Sequence, residues 1–141
     1  MAFPFEYRKL GDFTYHVLAE PTRIKSYVMK WIMREWEIDH KEAPEEHWTV
    51  GWMNVLPGME FKLEIIRLED VRPNTDLMSV DEFVSDLKER ADEREEGMSR
   101  GVSIEPLLIN RDGFELMDGY TRYTVLKRHK QIEVFAYVGA A

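Results

Sequence analysis

The residues best suited to chemistry stand together at Asp118-Gly119-Tyr120-Thr121-Arg122. They follow Phe114-Glu115-Leu116-Met117, which reads as a strand, and lead into Thr121 to His129, which reads as a short helix with Tyr123, Val125 and Leu126 inward. A helix start carries unpaired N–H groups and the positive end of the backbone dipole, so it is a natural seat for an anion. Gly119 lets the backbone approach that anion closely. Thr121 adds a hydroxyl, and Arg122 adds a planar fork that matches phosphate. The chemistry implied is capture of a phosphate group.

His40, Glu42, Glu45, Glu46 and His47 invite a metal reading, but their spacing fits no zinc pattern and the segment reads as a polar loop. No metal site is expected there.

The chain changes character near Pro57-Gly58. The first part holds all four tryptophans, Trp31, Trp36, Trp48 and Trp52. Glu20-Pro21-Thr22 reads as a helix start, since proline is tolerated at the first helical position. Ile24, Tyr27, Val28, Trp31, Ile32 and Trp36 then recur at three- and four-residue steps, which predicts an amphipathic helix ending by His40. Trp48 to Met53 reads as a strand. Trp31 and Trp36 at helical spacing are expected in the core or at an interface. Residues 1–60 are therefore expected to form a helical, aromatic-rich extension that packs on a domain spanning 61–141 and offers a surface to a protein partner.

The second part is more regular. Phe61 to Val71 reads as a strand. Ser79-Val80-Asp81-Glu82 matches a capping box ahead of a helical face made by Val80, Phe83, Val84, Leu87 and Ala91. The charged run Lys88 to Glu96 is its solvated end. Pro106 to Asn110 and Phe114 to Met117 are strands joined by the hairpin signal Arg111-Asp112-Gly113. Ile132 to Val138 is a final strand. The order predicts a mixed α/β fold with a small sheet.

Composition limits the function classes. The 141 residues suit one domain, and 44% hydrophobic content allows a packed core. There is no cysteine, which excludes disulfides, thiolate nucleophiles and cysteine metal sites. No apolar run approaches the roughly 20 residues that span a bilayer, and the first residues lack the order of a signal peptide, so a cytoplasmic location is expected. The net charge of −8 argues against DNA binding by this chain alone.

The stretch Gly101-Val102-Ser103-Ile104-Glu105-Pro106-Leu107-Leu108-Ile109, followed by Phe114 to Tyr123 with its Gly-x-x-Arg turn, resembles the ParB N-terminal/sulfiredoxin-like superfamily. Leu68 to Pro73 and the helix from Val80 to Leu87 fit its upstream elements. The resemblance covers about residues 61–139. It implies a ParB/sulfiredoxin-type fold and a nucleotide (ATP, ADP or CTP) or other phosphate-bearing ligand gripped at Gly119 and Arg122, with phosphotransfer or nucleotide hydrolysis as a consequence that would rest on positioning and charge neutralisation, commonly with Mg²⁺. Sulfiredoxin chemistry is excluded, because Tyr120 stands where that family has its catalytic cysteine. The similarity to ADP-dependent free serine kinases is more distant: their Asp-Gly-His-His-Arg turn is matched at Asp118, Gly119 and Arg122, with Thr121 in place of histidine. Those kinases also place an acidic base just after the proline that follows the first strand, which implies Asp76, in the turn Pro73-Asn74-Thr75-Asp76, as a base or metal ligand; its plainer role is a cap or a solvated charge. Two other readings are a non-enzymatic regulatory or partner-binding module with a degenerate site, and a ParB-like DNA-associated protein. The DNA-reading domain that ParB carries after this module is not expected within these residues.

Overall fold

The structure is a computed structural model, and it describes residues 3–42 and 55–141, with no side chains described for 36–42. The predicted strand at Trp48–Met53 and most of the polar segment 40–47 lie outside the described residues.

A four-stranded sheet forms the centre. Its order is β3 (Glu60–Arg67), β6 (Glu133–Ala140), β4 (Leu107–Asn110), β5 (Glu115–Asp118). β6 runs antiparallel to β3 and parallel to β4, and β5 returns antiparallel to β4. The α/β class with a mixed sheet is therefore what the chain forms. Side chains alternate across a strand, and here the alternation divides the core in two. Leu107, Ile109, Leu116, Ala136 and Val138 face one cluster, and Leu108, Met117 and Tyr137 face the other.

The first cluster is covered by α3 (Asp81–Ser99) and α4 (Tyr120–Arg128), through Leu87, Ala91, Tyr123, Val125 and Leu126. The second is covered by α1 (Ile24–Glu42), whose Ile24, Val28 and Ile32 lie four residues apart on one face and are buried. Pro21 opens the turn that feeds α1, as expected, and the helix continues two residues past His40.

Residues 5–18 depart from the expected helical extension. They form a hairpin of β1 (Phe5–Leu10) and β2 (Phe13–Leu18), in register from Phe5↔Leu18 to Leu10↔Phe13. The two-residue turn is Gly11-Asp12, with Gly11 at φ 61°. Phe13, Tyr15 and Val17 alternate inward and join the first cluster. The hairpin is sewn to the rest of the chain by His16 N–H to Ile104 O and Ile104 N–H to Thr14 O, both 3.0 Å, and by Leu18 N–H to the Tyr137 hydroxyl at 3.0 Å.

Two local expectations are corrected. The capping box at Ser79 does not form. Asn74 caps a short helix α2 (Thr75–Met78) by accepting from Leu77 N–H at 3.0 Å, and Ser79 ends that helix, its hydroxyl donating to Asp76 O at 2.7 Å. With its side chain turned back, Ser79 leaves the start of α3 to Val80, which has no side-chain cap. The strand from Phe61 also stops at Arg67, because Leu68 N–H bonds to Ile132 O and residues 68–70 tighten into a turn. No helix among the described residues is long and apolar enough to cross a membrane.

Candidate functional site

The turn between β5 and α4 sits where the sequence places it. Asp118 is the last residue of β5, Gly119 turns the chain at φ 97°, and α4 begins at Tyr120. The first intrahelical bond is Tyr123 N–H to Gly119 O at 2.8 Å, which leaves the earlier N–H groups of the helix outside its ladder. A positive φ excludes most side chains, so glycine is required by the turn itself.

The space that Gly119 opens is used by Arg122. A Cβ added at 119 would lie 2.8 Å from a terminal nitrogen of the Arg122 guanidinium and 3.0 Å from Leu107. The close approach inferred from the sequence is thus made by the protein's own arginine. Asp118 folds back on the same turn and accepts from Gly119 N–H at 2.7 Å. Tyr120 is buried; its hydroxyl donates to Leu116 O and accepts from Asn74 N–H. Thr121 is half-buried beside it.

Arg122 is the centre of the cluster. One guanidinium nitrogen donates to Pro106 O at 3.3 Å, and the Nε, sealed from solvent, has no hydrogen-bond partner. No carboxylate among the described residues forms an ion pair with it. Burial pulls its pKa down, while the fields of Asp118 and Glu105 support the charge. Arginine nevertheless stays protonated in proteins. Trp31 of α1 covers the guanidinium, 5.3 Å from Cζ to the ring centroid, and donates its indole N–H to Asp118 at 2.7 Å.

Sequence reasoning missed the acidic side of this cluster. Ser103 and Glu105 lie on one face of an extended segment that pairs parallel with β2, and His16 of β2 reaches both. His16 Nδ1 is 2.9 Å from Ser103 Oγ, and its Nε2 is 3.2 Å from Glu105 Oε1. Tyr27 of α1 donates its hydroxyl to the same oxygen, and burial together with that carboxylate pushes its pKa well above the ordinary value. Glu105 Oε2 is buried and unpartnered. The i, i+2 spacing of Ser103 and Glu105 was a usable signal, but only with β2 recognised as a strand.

Asp76 lies in α2, exposed, and its side chain bonds to none of the residues 118–122. Its loop does reach the turn, through the bond between Asn74 and Tyr120. Among the described residues no group of three or more histidine or acidic side chains is arranged to hold a metal.

No family model and no curated protein matches the chain. Among solved structures it is similar to a pNOB8-like ParB N-domain, at 21% identity and a TM-score of 0.45, over 59% of this chain and 29% of that one. A second crystal form of such a domain gives 23% and 0.41 over 59% and 30%. Sulfiredoxin from Arabidopsis thaliana gives 18% and 0.39 over 56% and 85%. The chain spans less than a third of the ParB chain's length.

Proposed function

We propose that this chain binds a phosphate-bearing ligand, a nucleotide such as ATP, ADP or CTP, at the turn from Asp118 to Arg122. What carries the reading is the state of Arg122: a half-buried cation with a sealed, unpartnered Nε and no carboxylate in ion-pair contact. A partly buried charge without a counter-ion is costly, and an anion that supplies the missing partner recovers that cost on binding. The N–H groups at the start of α4 add donors beside it. Trp31 and Tyr27 close over the cluster from α1, so entry requires that helix to shift.

Mg²⁺ would come with the nucleotide, held mainly by its phosphates. If phosphate is transferred or hydrolysed, Asp76, two residues beyond the Asn74 that bonds to Tyr120, would serve as base or metal ligand. The setting proposed is the cytoplasm.

A second reading has its own support. Asp118 already occupies Gly119 N–H and takes the Trp31 indole, so the chain's own groups partly fill the anion seat. That suits a partner-binding module with a closed site.

A thermal-shift screen with ATP, ADP, CTP, GTP and phosphate, each with and without Mg²⁺, separates the two. A ligand that binds only the folded state raises the melting temperature. A selective rise that disappears in Arg122→Met supports the nucleotide site. No rise with any of them at millimolar concentration removes it and leaves the partner-binding module.

A further inference from the structure

The far end of α4 carries a different feature. A groove of about 540 Å³ runs between the segment 68–75 and the C-terminal half of α4, and Arg72, Lys127 and Lys130 all line it. None of the three forms an ion pair with a carboxylate among the described residues, in a chain whose net charge is −8. Glu69, the acidic residue on the same wall, is paired with Arg67 at 2.9 Å. Leu68, Val71 and Tyr123 supply an apolar floor.

The three cations stand on fixed backbone. Arg72 bridges to β5 through Arg72 N–H to Phe114 O and Leu116 N–H to Arg72 O, both 2.9 Å, and Pro73 holds it extended. Lys127 is in the last turn of α4, its ammonium 5.6 Å from the Tyr123 ring centroid. Lys127 alone would be explained by the negative end of the helix dipole, but Arg72 comes from another element.

Lys130 is the telling residue. Gln131 N–H bonds to Leu126 O and Lys130 N–H to Lys127 O, the pattern that ends a helix on a left-handed residue. Lys130 is that residue, at φ 54°. Glycine is usual there because a side chain is strained. The position carries a lysine despite that strain, and the lysine lines this groove as well as the neighbouring one beside Asp12 and Glu133.

We infer that this groove is a second anion site, distinct from the Arg122 turn. It takes a small molecule with two or more adjacent negative oxygens, the chemistry shared by a pyrophosphate group and a di- or tricarboxylate. Three cations on separately anchored backbone positions favour multivalent over monovalent anions.

The test uses titration calorimetry of the whole chain with inorganic pyrophosphate and, separately, citrate, at low and at physiological salt. Pyrophosphate binding should weaken with salt, and it should weaken about tenfold or more in Arg72→Gln/Lys127→Gln. Lys130→Gly should raise the melting temperature, by relieving the strained φ, and still weaken binding severalfold. That opposite pair of effects separates loss of a site from loss of fold. Binding of citrate as well assigns the site to multivalent anions in general; pyrophosphate alone assigns it to phosphates. Arg122→Met should leave this binding in place. The inference is overturned if neither anion binds at millimolar concentration, if the groove variants bind as the parent does, or if Arg122→Met alone abolishes binding.

Discussion

The Trp31 indole N–H donates to the Asp118 carboxylate at 2.7 Å, joining α1 to the turn that opens α4 across 87 residues of sequence. It is a charge-assisted bond in a half-buried place, where removing the donor leaves a carboxylate oxygen without its partner. Hydrogen bonds to charged groups are worth about 1.5–3 kcal/mol. Trp31→Phe keeps most of the ring contact and removes that bond, so a loss of about 2 kcal/mol is expected from urea unfolding. An unchanged midpoint would mean that α1 does not rest on Asp118 in solution.

Gly119→Ala should be costly for two independent reasons. Its φ of 97° disfavours any side chain, and the new Cβ would press on Arg122 and Leu107. Strain of this kind costs about 1–3 kcal/mol, and displacement of the guanidinium adds to it. The melting temperature should fall, and any ligand shift at the turn should fall with it.

The helix caps give a local contrast. Asn74→Ala removes the side chain that accepts from Leu77 N–H and should cost about 1 kcal/mol. Ser79→Ala removes no cap of α3, only an exposed bond to Asp76 O, and should cost less, about 0.5 kcal/mol. The reverse order, measured by chemical denaturation, would restore the capping box.

Tyrosine ionisation sets the alkaline limit. Burial pushes the Tyr120 and Tyr137 hydroxyls up to about 12, and raises Tyr15 and Tyr27 further. In the unfolded chain these groups lose their protons near 10. Their contribution to stability is therefore complete below about pH 10 and is lost as the pH climbs through the folded values, because the unfolded state then binds fewer protons than the native one. For Tyr120 and Tyr137 the loss approaches about 2–3 kcal/mol each. Absorbance at the tyrosinate band should show the native protein incompletely titrated at pH 11, with the remainder appearing on unfolding. Complete titration of all six tyrosines by that pH, with the fold intact, would contradict this burial.

Much of this was legible in the sequence where local signals and tertiary packing agree. Asp112-Gly113 marked the β4–β5 hairpin, Pro21 marked the entry to α1, and Asp118-Gly119 marked the break before α4. The β1–β2 hairpin was overlooked although its Gly11-Asp12 turn is a recognised two-residue signal; β1 is largely exposed, so its alternation of polar and apolar residues is weak. The Ser79 pattern failed because Asn74, five residues earlier, starts a short helix that consumes the serine. Arg122 was named from its spacing, but its companions Tyr27, Glu105 and His16 come from three segments that only the tertiary fold brings together. No one-dimensional pattern contains that meeting.

Leu18 and Tyr137 are bonded across 119 residues, and so are Asp12 and Gln131. On a ribosome the hairpin is finished long before its docking partners exist. At about 5–20 residues per second, Leu18 waits on the order of ten seconds for Tyr137. Until the helix bearing Leu87 and Ala91 and the segment around Ile104 emerge, β2 presents Phe13, Tyr15 and Val17 without the residues that bury them. Nascent chains of this protein should thus be clients of holding chaperones from the first strands onward, and should mature only when β6 clears the exit tunnel.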